Sequence, residues 1–162
     1  MMLLKRKGDV LSKIYSKLDK KDVFVQYLVT LCSSESVKCR QFAMYAFEIL
    51  SEMHLSSEEL SGAKGQFMQI FERALQDSEI IVKVAALKAI SAFISSIDDS
   101  TVALEFSPVL PMLLDVIVEA LQADEDQGRN ALESLCEMTS AHPECWKNAT
   151  SKLLNVSAQI AQ

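Results

Sequence analysis

Glycine and proline are scarce in this chain, with four glycines and three prolines among 162 residues. A many-stranded β protein draws on such residues for its tight turns, so their scarcity points to long helices. The glycines, Gly8, Gly62, Gly65 and Gly128, never fall at the spacing of a phosphate-cradling or dinucleotide-binding loop. Basic residues are the minority too, 16 against 22 acids, for a formal net charge of -6. Nucleic-acid affinity rests on clustered Lys and Arg, so no direct nucleic-acid partner is expected, and basic protein partners suit the charge better.

Chemistry-bearing groupings are equally sparse. Cys32, Cys39, Cys136 and Cys145 include no close C-x-x-C pair. They read as reduced thiols of a nuclear or cytosolic protein, mostly filling core space. Cys136, His142 and Cys145 lie close in sequence, yet they lack a fourth zinc ligand or an acid to orient a catalytic base. His54, at a helix end, is explained by the helix dipole. No serine sits in a nucleophile elbow. Metal, cofactor and enzymatic activity are therefore not expected. The most apolar stretch, Val109 to Leu121, is interrupted by Asp115 and Glu119 and falls short of the ~20 residues a bilayer requires. The opening Met-Met-Leu-Leu-Lys-Arg-Lys has its charges after its apolar residues, the reverse of a secretory signal.

What the chain has in abundance is helical periodicity. Phe24, Tyr27, Leu28 and Leu31 share one face of a helix expected from about Lys20 to Ser33. A second, Ser36 to Met53, carries apolar residues on more than one face, Phe42 among them, and is expected to be buried on two sides. Ser56 or Ser57 can cap a third, with Phe67, Ile70, Phe71, Ala74 and Leu75 buried. Beyond Gln76-Asp77-Ser78 comes a stripe of Ile80, Val84, Leu87, Ile90, Ile94 and Ile97, ended by Asp98-Asp99-Ser100. Residues 101 to 105 make one turn, and Pro111 fits the first turn of a helix carrying Leu113, Leu114 and Ile117. After Ala123 to Gly128, a further helix runs to about Ala141 with Leu132, Leu135, Cys136 and Met138 inward. Pro143 starts a last helix whose stripe is Trp146, Ala149, Leu153, Val156 and Ile160.

The second helix of each pair repeats a pattern: a basic residue, then an Ala-containing apolar stretch. Arg40, Lys83 and Arg129 head the three copies, 43 and 46 positions apart. That interval lies in the ~40–47 band of HEAT and armadillo units. The predicted fold is all-α, a right-handed α-α superhelix of antiparallel HEAT-type helix pairs. Its units are a half-repeat over 1–19, repeats over 20–55, 56–99 and 100–142 (the last with a short extra helix), and a half-repeat over 143–162. A small polar turn precedes each second helix, with Asp77 in the middle unit and Asp124 in the third. Such an Asp can cap its own helix and meet the basic residue of the neighbouring repeat. Arg40, Asp77, Lys83, Asp124 and Arg129 are thus read as a structural charge ladder. Apolar residues at both ends, Val10, Ile14 and Leu18 and then the stripe from Trp146 to Ile160, lie on helices without partners. They suggest a cut from a longer solenoid or self-association through exposed terminal helices.

The segments Ala92-Phe93-Ile94, Val102-Ala103-Leu104 with Phe106, Val109-Leu110-Pro111 and Ala131-Leu132-Glu133-Ser134-Leu135 resemble the importin-β (karyopherin-β) superfamily, and within it the importin beta-3 branch. The likeness is densest over Gln76 to Trp146. It implies a piece of the N-terminal half of a nuclear transport receptor that shuttles between cytoplasm and nucleus. It further implies binding of basic or folded protein cargo and of the GTP form of the small GTPase Ran on a concave wall of second helices. Phe-Gly nucleoporins would bind between outer helices. The positions implied on that wall are Tyr45, Glu48, Glu52, Lys88, Glu133 and Glu137, with the nucleoporin cleft near Phe67, Phe71, Leu114 and Val118. Two blander readings stand beside these: the charged residues form a solvated face, and the apolar ones are core. The alternative function is a structural HEAT scaffold subunit of another assembly with no transport role.

Overall fold

The computed structural model describes residues 10–11, 13–17, 21–52 and 57–160, and no strand occurs among them. Helices α1 (Lys21–Leu31) and α2 (Val37–Glu52) form the first pair, α3 (Ser57–Leu75) and α4 (Ile80–Ser95) the second. A short α5 (Ser100–Leu104) and a 3-10 turn (Ser107–Val109) lead into the third pair, α6 (Leu110–Ala123) and α7 (Glu125–Ala141). A 3-10 segment (Pro143–Asn148) and α8 (Thr150–Ile160) follow. The second helices α2, α4 and α7 pack side by side as one layer. The first helices form the other, where α3 meets α6 and α6 meets α8. This is an all-α repeat solenoid, as the periodicity predicts.

Helix α4 sits at the centre, touching α2, α3, α6 and α7. Val82, Val84, Ala86, Leu87, Ala89, Ile90, Phe93 and Ile94 are all buried, covering most of its circumference. A helix apolar all round is a core helix, and each large side chain so buried contributes about 1.5–3 kcal/mol before conformational entropy is counted. The single stripe read from the sequence thus understates its burial. Around Phe93, five phenylalanines interlock: its ring lies 5.3 Å from Phe67, 5.7 Å from Phe71 and 5.3 Å from Phe106, while Phe47 stands edge-on to Phe67 at 5.6 Å. This cluster joins α2, α3 and α4 to the bend before α6.

Several boundaries differ from the expectation. Helix α7 starts at Glu125, directly after Asp124, and Gly128 lies inside its first turns. Acids at Glu125 and Asp126 favour an early start through the helix dipole, and Asp124 Oδ1 accepts the Gln127 amide at 3.0 Å. Glycine at 128 reflects close packing: a Cβ there would stand 2.7 Å from the Leu121 Cα. Pro143 opens a 3-10 segment carrying Trp146, and the last helix begins only at Thr150. Residues 100–123 are long and apolar enough to cross a membrane by length and composition. Their path nevertheless breaks at Glu105 and Phe106, and Leu110, Leu113, Leu114 and Ile117 are core residues of the solenoid. Ser56, His54 and Leu18 lie outside the described residues.

Candidate functional site

The charge ladder has one part-buried rung. Arg40 on α2 reaches Asp77 in the turn before α4, with Nε donating to Oδ2 at 2.6 Å and Nη2 to Oδ1 at 2.9 Å. Nη1 also donates to the carbonyls of Ser34 and Glu35, and Asp77 Oδ1 accepts the Glu79 amide at 3.0 Å. The bond from Arg40 holds the Asp77 carboxyl below its ordinary range, against the cost of burial, and the same bond raises the arginine. Asp77 thus ties the turn before α4 to the preceding repeat, as the spacing implies. It braces that turn through the Glu79 amide but does not cap the helix, whose N-cap is Glu79 with no side-chain bond.

The other rungs need correction. Lys83 pairs with Glu119 on α6, its Nζ lying 2.7 Å from Oε2, and not with Asp124. Asp124 spends its carboxylate on its helix cap, and Arg129 turns to Glu125 one helical turn away at 2.7 Å. The third junction is instead held by Lys152 on α8, 2.6 Å from Asp115 on α6. In the sequence Asp115 and Glu119 register only as interruptions of an apolar stretch, because rung acids are expected in turns, and Lys152 lies outside the second helices where rung bases are expected.

On the exposed side of the second-helix layer runs a groove of about 1050 Å³. Lys38, Gln41, Phe42, Tyr45 and Glu48 line it from α2, Ile81, Val84, Ala85 and Lys88 from α4, and Gln127 and Asn130 from α7, with Val10, Leu11 and Ile14 at one edge. These positions are repeat-equivalent. Lys38, Gln41, Phe42 and Tyr45 correspond to Ile81, Val84, Ala85 and Lys88 at the same 43-residue offset, and Ile81 and Val84 to Gln127 and Asn130 at 46. The groove therefore follows from stacking one helix face three times. Of the positions implied for the wall, Tyr45, Glu48 and Lys88 line it together. Glu133 and Glu137 are exposed on α7 outside its lining, and the Glu52 side chain lies outside the described residues. Phe42, read as buried, is 43% exposed on the floor. The repeat offset was the signal that could have found Phe42, Ile81 and Val84.

The outer layer corrects the cleft residues. Phe67, Phe71 and Leu114 are core, while Val118 is half-buried in a cleft of about 350 Å³ between α6 and α8 shared with Val156, Asp115 and Lys152. A second cleft, about 650 Å³, separates α1 from α3. Among the cysteines only Cys145 is fully buried, and Cys136, expected inward, is exposed. Burial pushes the Cys32 thiol up to about 11, and desolvation with the neighbouring Glu144 raises Cys145, so neither is an activated nucleophile. His142 is a buried strut: its Nε2 lies 2.9 Å from the Ile97 carbonyl and its Nδ1 3.2 Å from Glu144. Among the described residues no group of three His, Cys, Asp or Glu could hold a metal.

Compared with known proteins, residues 4–156 match the family described as IPO5-like, TPR repeats. Tetratricopeptide units run to ~34 residues, whereas the intervals here are 43 and 46; both describe stacked antiparallel helix pairs. No curated protein and no solved structure gives a significant match. A match spanning nearly the whole chain, on a fold of stacked helix pairs, makes this protein a member of the IPO5-like family of importin-β-type repeat proteins.

Proposed function

We propose that this chain is a segment of a nuclear transport receptor, one that shuttles between cytoplasm and nucleus and binds protein cargo and GTP-loaded Ran on its second-helix face. The observation that carries the reading is the repeat-equivalent groove over α2, α4 and α7. Its apolar floor of Phe42, Ile81 and Val84 offers anchor pockets, and Lys38, Glu48 and Lys88 set a mixed charge around them. Glu133 and Glu137, exposed further along α7, add an acidic flank that suits a basic segment of cargo.

Binding, not catalysis, is its work in this reading. Nucleoporin Phe-Gly repeats fit the outer layer, where Val118 and Val156 face the α6–α8 cleft. Exposed Val10, Ile14 and Leu154 give surfaces for self-association. Small rotations between repeats change the offered surface, so one partner alters affinity for another. Fluorescence anisotropy with GTP-loaded and GDP-loaded Ran, and with a lysine-rich peptide, tests the proposal. Binding that prefers the GTP form and weakens at least tenfold in Ile81→Asp supports it. Equal failure of both Ran forms and the peptide to bind favours a structural scaffold instead.

A further inference from the structure

The turn joining α1 to α2 contains three serines, and one faces a guanidinium from the next repeat. Arg73, near the end of α3, donates from Nη1 to Ser33 Oγ at 3.1 Å across the mouth of the α1–α3 cleft. Both side chains are exposed. Among the described residues Arg73 has no carboxylate partner, unlike Arg40, whose fork is filled by Asp77 and the turn carbonyls. Both neighbouring hydroxyls act as acceptors, Ser34 from the Ser36 amide and Ser33 from Arg73, so of the two it is the Ser33 hydroxyl that meets a guanidinium. We propose that Ser33 is a phosphorylation site whose phosphate is clamped by Arg73, bracing the outer helices of the first two repeats across their cleft.

The modification is an ordinary phosphoryl transfer. A protein kinase forms the bond from Ser33 Oγ to the γ-phosphorus of ATP as the bond to the ADP leaving group breaks, and the hydroxyl proton passes to the kinase's base. A phosphoserine offers three acceptor oxygens to a planar guanidinium suited to bidentate phosphate contact. Gln26, Gln66 and Gln69 line the same cleft and offer further amide donors. Arg73 already acts on this turn electrostatically, pulling the Cys32 thiol downwards against the larger effect of its burial. Two features oppose the phosphate: the negative end of the α1 dipole and the exposed Glu35. The sign of the effect therefore depends on Arg73, with clamping when it is present and repulsion when it is removed.

The experiment installs phosphoserine at position 33 during synthesis of the full chain, in the natural sequence and in Arg73→Gln. Three readings are taken: amide exchange over α1 and α3, the phosphorus-31 titration of the phosphate, and its removal by a nonspecific alkaline phosphatase. The expected result is exchange and dephosphorylation slowed roughly fivefold relative to Arg73→Gln, as for a charged contact discounted for exposure. The phosphate should also titrate below the value it has in a free peptide of residues 29–40. A titration equal to the peptide's, with exchange and phosphatase rates indifferent to Arg73, overturns the proposal. The peptide comparison needs no variant, so it stands even if Arg73→Gln perturbs the fold.

Discussion

Arg40 and Asp77 face each other fork to fork across the first repeat junction, 37 residues apart in sequence. Lys83 and Glu119 cross the second junction at a separation of 36, and Asp115 and Lys152 the third at 37. Three ion pairs at nearly the same separation, shorter than the 43- and 46-residue repeat intervals, thus tie one unit to the next. Their burial is unequal. Side chains of the first pair are 15% and 11% exposed, while Glu119 and Asp115 are 48% and 66% exposed. Exposed pairs contribute only about 0–1 kcal/mol each, so the first junction is where an ion pair defines the register.

That pair makes stability depend on acid. Asp77 is held low by Arg40, Asp99 by bonds from the Thr101 hydroxyl and amide, and Glu144 chiefly by its own backbone amide and the Ser100 hydroxyl. A carboxyl lowered on folding stabilises fully above its unfolded value of about 4 and loses that contribution as pH falls through the folded value. Urea midpoints measured between pH 7 and pH 3 should fall on the acid side, and Asp77→Asn should lower the neutral midpoint while making the acid limb shallower.

Gly128→Ala should destabilise even though alanine is the better helix former by about 1 kcal/mol. The added Cβ meets Leu121 Cγ at 2.6 Å and its Cα at 2.7 Å, and the backbone contact cannot be relieved by a rotamer change. Forcing α6 and α7 apart costs about 1–3 kcal/mol. A lower urea midpoint with an unchanged slope is the expected readout.

Phe93 is 2% exposed and touches Phe67, Phe71 and Phe106. Phe93→Ala should cost about 3–5 kcal/mol by emptying the centre of the cluster, and Phe93→Leu clearly less. Denaturant titration ranks the two. Equal losses would place the cluster's energy elsewhere.

His142→Ala removes the side chain that reaches the Ile97 carbonyl at the end of α4. An orphaned buried acceptor costs about 1–3 kcal/mol. Faster amide exchange confined to the 3-10 segment Pro143–Asn148 and to residues 96–99 would identify His142 as the strut joining them. Faster exchange throughout the chain would assign it a global role.

Periodicity made the helix pairs legible because residues such as Phe24, Leu28 and Leu31 mark a face three or four positions apart whatever the neighbours are. Asp77 was legible as a rung because it falls in the polar turn that precedes each second helix. Glu119 was not, since an acid on an exposed helix face looks the same whether solvated or paired. Phe42 misled for a related reason: an apolar residue between buried neighbours reads as core, and only the stacking of α2 on α4 leaves it on a groove floor. His142 acquires its role from a carbonyl 45 residues away, a contact no local pattern encodes.

Hydrogen-exchange footprinting of the chain bound to GTP-loaded Ran, and separately to a lysine-rich peptide, tests the central claim most directly. Protection should fall on Lys38 to Glu48 of α2 and Ile81 to Lys88 of α4, and Phe42→Asp should abolish it. Protection confined to the outer helices α1, α3 and α6, with the second-helix groove unchanged, would contradict the account.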